Sequence, residues 1–251
     1  MKRKKRGVEL QERDYEILKL VFSFRVVTLS QIARRHFPGK HKSIWERRVS
    51  QLCRDGFMKS GAIMRNGRME KCLFPCTKAA ETLVNAWRFE IDKPLFKSES
   101  PEHDVRLAEL GLKLERLAGF RMFLPENLLQ SSSELAQDSI LADFVKVQAD
   151  GALAMKVQNG EQQVFAVEME LTPKHIARYK DKLASYYLAD TVDGILYVCG
   201  TQEIVNCLAE ADEAARGRHE SILHLALEKD AVGPGEKVIF HRGKMQTLVL
   251  S

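Results

Sequence analysis

Apolar residues recur at helical spacing along the first part of the chain. Tyr15, Leu18, Val21 and Phe22 lie three and four apart and predict an amphipathic helix over 11–24. The next segment, LSQIARRHF, opens at Thr28 or Ser30, either of which can cap a helix, and carries Ile32, Ala33 and Phe37 on one side. Pro38-Gly39 stops it. A third helix is predicted over 42–55: Ile44, Trp45, Val49 and Leu52 turn inward, Ser43, Arg47, Ser50 and Arg54 form the opposite stripe, and Gly56 ends it. Strand-like runs at 57–64 and 68–74 flank Asn66-Gly67, with Arg65 and Arg68 beside the turn. Asn-Gly suits a two-residue hairpin because both turn positions need positive φ. A last helix starts near Thr77 and runs through Ala80, Leu83 and Val84.

The pattern then changes. Residues 89–101 lack periodicity and hold two prolines, which predicts a linker. A helix over 102–118 carries Leu107, Leu110, Leu114 and Leu117 as its buried stripe. Strands are predicted near 120–124, 144–156 and 163–171, with an irregular serine-rich stretch up to about 138 and an Asn159-Gly160 turn between the last two strands. A helix over 174–189 follows, with Ile176, Tyr179, Leu183 and Tyr186 inward. GILYVC at 194–199 is continuously apolar, as a central buried strand requires. A helix at 202–215, a strand at 221–227 and KVIFHRG as an edge strand complete a mixed sheet flanked by helices.

Charge divides the chain in the same place. The 251 residues carry a net +5, but residues 1–88 hold 21 Lys/Arg against 8 Asp/Glu (+13) and residues 89–251 hold 18 against 26 (−8). So uneven a distribution predicts a nucleic-acid-binding front half and a back half with another task. Three helices, a hairpin and a closing helix within about 80 residues describe a winged helix-turn-helix, whose third helix enters the major groove while the wing reaches phosphate or minor groove. The expected organisation is a basic arm at 1–8 (Lys2, Arg3, Lys4, Lys5 and Arg6), the winged helix-turn-helix at 9–88, the linker at 89–101 and an α/β domain at 102–251. The arm suits salt-sensitive phosphate contact without sequence preference. Five scattered cysteines (Cys53, Cys72, Cys76, Cys199 and Cys207) form neither CxxC nor a Cys/His quartet, which favours a reducing cytoplasm over disulfides or structural zinc. No apolar run approaches the roughly 18 residues that span a bilayer, so no membrane partner is expected.

On the third helix, Arg47 and Arg54 are the best-suited base readers, since a guanidinium bonds guanine at two places. Ser43, Ser50 and Gln51 suit base or phosphate contact, and Arg34, Arg35, Lys40, Lys42, Arg65 and Arg68 suit the backbone. RRVSQLCRDGFM at 47–58 and LFPCTKAAETL at 73–83 resemble the recognition-helix end and the wing exit of bacterial winged-helix regulators.

The acidic half contains its own pattern. Glu168 and Glu170, two apart on a strand, share one face, and Asp150 on the neighbouring strand could join them. Clustered carboxylates at a sheet edge suit a hard divalent ion such as magnesium, which activates water and stabilises charge on a phosphodiester. Asp150 and Glu168 would then be the metal ligands.

An aspartate, about 17 residues, then E-x-E on a hairpin before a helix resembles the core of the PD-(D/E)xK nuclease superfamily. The resemblance assigns Asp150 and Glu168 to its two acidic positions. Ala149 stands where that pattern has proline and Glu170 where it has lysine, so a displaced lysine would have to come from Lys174, Lys180 or Lys182. Loss of the lysine speaks against cleavage. HDVRLAEL at 103–110, ADGAL, VFAVEMELT and KDKLASYY together are similar to the replication-relaxation family. That resemblance implies an α+β or α/β chain in which a winged helix-turn-helix precedes a restriction-endonuclease-like mixed-sheet domain. It also implies a double-stranded DNA-binding accessory of plasmid or conjugative-element mobilisation, working with a relaxase or another DNA-processing protein. Asp104 matches the family's helix start and suits the positive end of a helix dipole. Three expectations stay open: a binder whose nuclease-like domain is inactive and serves docking or homodimerisation, a magnesium-dependent endonuclease using Asp150, Glu168, Glu170 and Lys174, and a winged-helix repressor.

Overall fold

The computed structural model describes residues 8–65, 67–84, 86–94, 96–157, 160–243 and 246–251. The basic arm Lys2, Arg3, Lys4, Lys5 and Arg6 and the turn residues Asn66 and Asn159 lie outside the described residues. The chain is a mixed α+β protein with a small antiparallel sheet and a larger mixed one. Its contacts divide it into two compact units, Met1–Ala108 and Glu109–Ser251.

The first unit opens with α1 (Glu12–Phe24), β1 (Val27–Thr28), α2 (Leu29–His36) and α3 (Lys42–Arg54). The hairpin β2 (Met58–Arg65) and β3 (Arg68–Pro75) and the helix α4 (Thr77–Thr82) follow. Thr28 rather than Ser30 starts α2: its Oγ1 accepts from the Gln31 amide at 3.1 Å while the Gln31 side chain accepts from the Thr28 amide at 2.8 Å. This reciprocal pair satisfies two helix-end donors that would otherwise be orphaned. β1 pairs with β3 and β3 with β2, all antiparallel, giving the order β1-β3-β2. Gly67 takes φ +72° beside the turn, a region open to glycine without a Cβ penalty. Ile17, Leu18, Val21 and Phe22 of α1 pack inward with Ile32, Val49, Leu52 and Leu73.

Two expectations for this unit change. Ile44 is 42% exposed and Trp45 only half-buried, so α3 sinks Val49 and Leu52 but leaves its first turn open. The aperiodic stretch after α4 is also tied to this unit. The ring of Phe22 meets Trp87 at 5.4 Å and Phe96 at 6.1 Å between centroids, Arg25 reaches Asp104 at 3.1 Å, and the Gln31 side-chain Nε2 donates to the Val105 carbonyl at 2.8 Å. The division between units therefore falls inside α5 (Pro101–Leu114) rather than across 89–101. Contacts bridging some eighty positions of sequence leave no local signal.

The second unit is built on β4 (Phe120–Pro125), β5 (Gly151–Lys156), β6 (Gln162–Glu170), β7 (Gly194–Cys199), β8 (Leu223–Leu227), β9 (Val238–Arg242) and β10 (Gln246–Leu250). The helices are α6 (Glu126–Ser131), α7 (Ala142–Lys146), α8 (Ile176–Tyr187), α9 (Gln202–Ala215) and α10 (Glu228–Ala231), with a short 3-10 turn at Leu135–Gln137. Strand order is β10-β9-β8-β7-β6-β5-β4. The central β6, β7 and β8 are parallel and their neighbours antiparallel. All six residues of GILYVC in β7 are buried, which agrees with the apolar run. The strand expected from 144 begins only at Gly151, because Ala142–Lys146 is helical and buries Phe144. KVIFHRG is not the edge: β10 lies outside it. No described helix is long and apolar enough to cross a membrane.

Candidate nucleic-acid face and buried carboxylate site

The buried side of α3 is held by more than Val49 and Leu52. Arg48 turns inward and forms a fork with Asp14 of α1: its Nε donates to Oδ1 at 2.9 Å and its terminal nitrogen to Oδ2. The same terminal nitrogen donates to the Glu9 carbonyl at 2.8 Å, and the other donates to Gln51 Oε1 at 3.3 Å. Asp14 is fully buried. Burial alone would raise its carboxyl, but the Arg48 fork and the Gln11 amide outweigh that and hold it below its ordinary 3.8. The two charges cancel and fix the rotation of α3 about its axis.

Fixed in this way, α3 presents Lys42, Ser43, Arg47, Ser50 and Arg54 to the outside. Arg47 and Arg54 have no hydrogen-bond or ion-pair partner among the described residues. Lys42 faces Glu46 at 3.7 Å, and Ser43 is held to the His41 ring at 2.9 Å. Gln51 is half-buried beside Arg48. Arg34 is exposed and Arg35 half-buried on the last turn of α2, and Lys40 is exposed in the α2–α3 turn. On the hairpin, Arg68 is exposed, whereas Arg65 leans on Glu70 at 3.5 Å and Glu70 also accepts from Ser30 at 2.7 Å. Neither Arg48, with its buried partner, nor Arg13, which reaches the same region from α1, stood out in the sequence. Their signal is a contact between helices, not a spacing within one.

In the second unit, Glu168 and Glu170 do share one face of β6, and both are only 7% exposed. Asp150 lies just before β5, opposite Glu168 if the Gly151–Val167 register is continued. Its Oδ2 accepts from the Met169 amide at 2.7 Å, and its carbonyl accepts from the Glu126 amide at 2.7 Å. Helix α8 covers Glu168: the Tyr186 hydroxyl donates to Oε1, and the Lys182 ammonium lies 3.0 Å from the same oxygen. Lys182 also donates to the carbonyls of Val147 at 2.8 Å and Gln148 at 2.9 Å. Lys174 precedes α8 and pairs instead with Glu170 at 2.6 Å. Of the three lysines considered, Lys182 is therefore the one at Glu168.

Burial pushes the Glu168 carboxyl up to about 7; Lys182 pulls it down and Asp150 pushes it further up. Burial also raises the Tyr186 hydroxyl well above its ordinary value, with Glu168 adding to the effect. Burial and Glu170 raise the Cys199 thiol to about 12. Among the described residues, no three His, Cys, Asp or Glu side chains converge where a metal ion could be held. Glu168 faces the Lys182 ammonium and Glu170 that of Lys174. Asp104, expected at a helix start, pairs with Arg25 at the start of α5. Comparison with family models, curated proteins and solved structures finds no match to this chain.

Proposed function

We propose that the chain is a double-stranded DNA-binding protein of the winged helix-turn-helix type, with α3 as the helix that enters the major groove and β2–β3 as the wing. The observation that carries this reading is the outer stripe of α3, where Arg47 and Arg54 stand without acidic partners among the described residues while Arg48 on the inner side is neutralised by Asp14. An unpaired guanidinium retains its full capacity for a guanine edge or a phosphate. The element order α1-β1-α2-α3-β2-β3 and the pairing of β1 with β3 support the reading.

The second unit acts in this proposal as a nuclease-like platform that docks a DNA-processing partner such as a relaxase, as in the replication-relaxation family. The strand-helix-strand unit β6-α8-β7 with acidic residues on β6 supports a nuclease-like descent. The ammonium of Lys182 has three protons and three acceptors, which leaves none to orient an attacking water. A magnesium-dependent endonuclease is the second reading, favoured by Asp150 lying beside a buried Glu168.

Selection of bound duplexes from a random pool, followed by anisotropy titration, tests the first reading. Wild type should enrich a defined site, and Arg54→Ala should lose about 1–3 kcal/mol on that site and less on random duplex. Failure of the wild type to bind any duplex at low salt overturns it. Incubation with supercoiled plasmid and Mg²⁺ or Mn²⁺ separates the second reading: nicking that disappears in Asp150→Ala establishes the nuclease, and intact plasmid rejects it.

A further inference from the structure

A cavity of about 300 Å³ opens between the start of α1 and the exposed side of α3, lined by Gln11, Arg13, Ile44, Arg47, Arg48 and Gln51. Three of these lining residues are arginines, and none of the described lining residues is an Asp or Glu. Arg48 is spent on Asp14, the Glu9 carbonyl and Gln51, so it forms a wall. Arg13 differs. Its guanidinium carbon lies 4.3 Å from the ring centroid of the buried Phe37, and its Nε is buried with no hydrogen-bond partner. Stacking on an aromatic ring fixes the plane of a guanidinium without using its donors. Arg47, the lining arginine of α3 that faces outward, has no partner among the described residues. Gln51 accepts from Arg48 through Oε1, which leaves its NH₂ group as a donor. The lining thus offers donors and positive charge, together with one apolar side chain, Ile44.

We propose that this cavity seats one phosphodiester of the bound duplex, gripped by Arg13 from α1 and Arg47 from α3. The inference rests on the duplex-binding reading above and deepens it. Phosphates project from the rims of the grooves, and a recess of donors complements a projecting oxyanion. Base edges line the groove floor, and reading them needs side chains that project outward. Arg47 is therefore a phosphate grip, and base discrimination falls to Arg54 with Ser50 and Ser43. Arg13 becomes a DNA contact from outside the helix-turn-helix segment.

The test is anisotropy titration of the full chain on the selected duplex and on a random duplex over a salt series. Arg13→Gln and Arg47→Gln should each lower the magnitude of the slope of log K against log salt by part of the roughly 0.9 that one neutralised phosphate contributes, the double variant by the whole of it, and all three should lose affinity equally on both duplexes. In a duplex series carrying one neutral methylphosphonate at successive positions, one position should weaken the wild type, weaken Arg13→Gln and Arg47→Gln less, and leave the double variant unaffected. Arg47→Gln, on an exposed side chain, keeps the test decisive if Arg13→Gln fails to fold. A wild-type slope in both variants, or loss confined to the selected site, overturns the cavity assignment while duplex binding stands. A wild type that binds no duplex overturns both.

Discussion

Lys182 of α8 holds Glu168 of β6: its ammonium nitrogen lies 3.0 Å from Oε1 and donates to the Val147 and Gln148 carbonyls as well. The lysine ties α8 to β6 and to the segment ahead of β5 at once. Such a clamp is costly to break from one side, because a buried carboxylate without its cation has lost water and gained nothing.

Folding stability should therefore depend on Glu168 in a definite direction. Its folded value of about 7 lies above the ordinary 4.5, so its contribution is fully present below about 4.5 and is lost as pH rises through about 7. The difference amounts to about 3 kcal/mol. His36 and His224, which burial lowers to about 4, slope the opposite way below about 6.5. The measurement is thus the stability of wild type minus Glu168→Gln, from urea unfolding at several pH values. That difference should fall from about pH 5 to about pH 8, and a flat difference rejects the assignment.

Lys182→Met provides the complement. With the ammonium gone, ionised Glu168 has no counter-charge at the distance Lys182 occupied, and the loss of stability should reach about 3 kcal/mol above pH 7. It should shrink once the carboxyl is protonated, below about pH 6. A loss independent of pH would mean that the two carbonyl contacts, not the ion pair, carry the effect.

The Asp14–Arg48 pair should behave as a unit. Arg48→Met leaves a fully buried carboxylate unpaired and should cost about 3–5 kcal/mol, while Asp14→Leu combined with Arg48→Met should recover most of that. Asp14 is held below 3.8, so the pair's contribution is present above that value and fades as pH falls through the folded pKa. Denaturant unfolding at neutral and acid pH checks both statements. Additive losses in the double variant would reject the coupling.

Local signals in the sequence go far for these elements and then stop. The stop at Pro38-Gly39, the end of α3 before Gly56 and the paired faces of Glu168 and Glu170 all follow from turn chemistry and periodicity. The partners of those residues do not. Lys182 reaches Glu168 because α8 starts at Ile176 and sets Lys182 on the same side as Tyr179 and Tyr186, whereas Lys174 precedes the first turn. Asp14 and Arg48 lie 34 positions apart, and neither carries a pattern that names the other. Phe144 and Val145 read as strand by composition, but the chain uses them in a short helix that buries Phe144.

Gly151 sets the position of Asp150. A Cβ there would meet the ring of Phe123 at 2.5 Å, so Gly151→Ala must displace that ring or the strand. Overpacking of this kind costs about 1–3 kcal/mol. Thermal unfolding should register the loss, and weaker hydrogen-exchange protection of the Met169 amide, which donates to Asp150 at 2.7 Å, should accompany it. An unchanged melting temperature would mean that the ring moves without cost.

Glu70 restrains the hairpin's charge. It accepts from Ser30 at 2.7 Å and lies 3.5 Å from Arg65, so part of the positive potential beside the turn is cancelled. Glu70→Gln keeps an oxygen for Ser30 and removes the neutralising charge. If the hairpin lies along DNA, affinity should rise and the salt slope should steepen by up to about 0.9 as Arg65 engages a phosphate. The gain should be the same on the selected and the random duplex, because phosphate carries no sequence information. Arg65→Gln in the Glu70→Gln background should return the slope to the wild-type value. A slope unaffected by Glu70→Gln would put the hairpin away from the duplex and leave α3 with the α1 cavity as the whole of the interface.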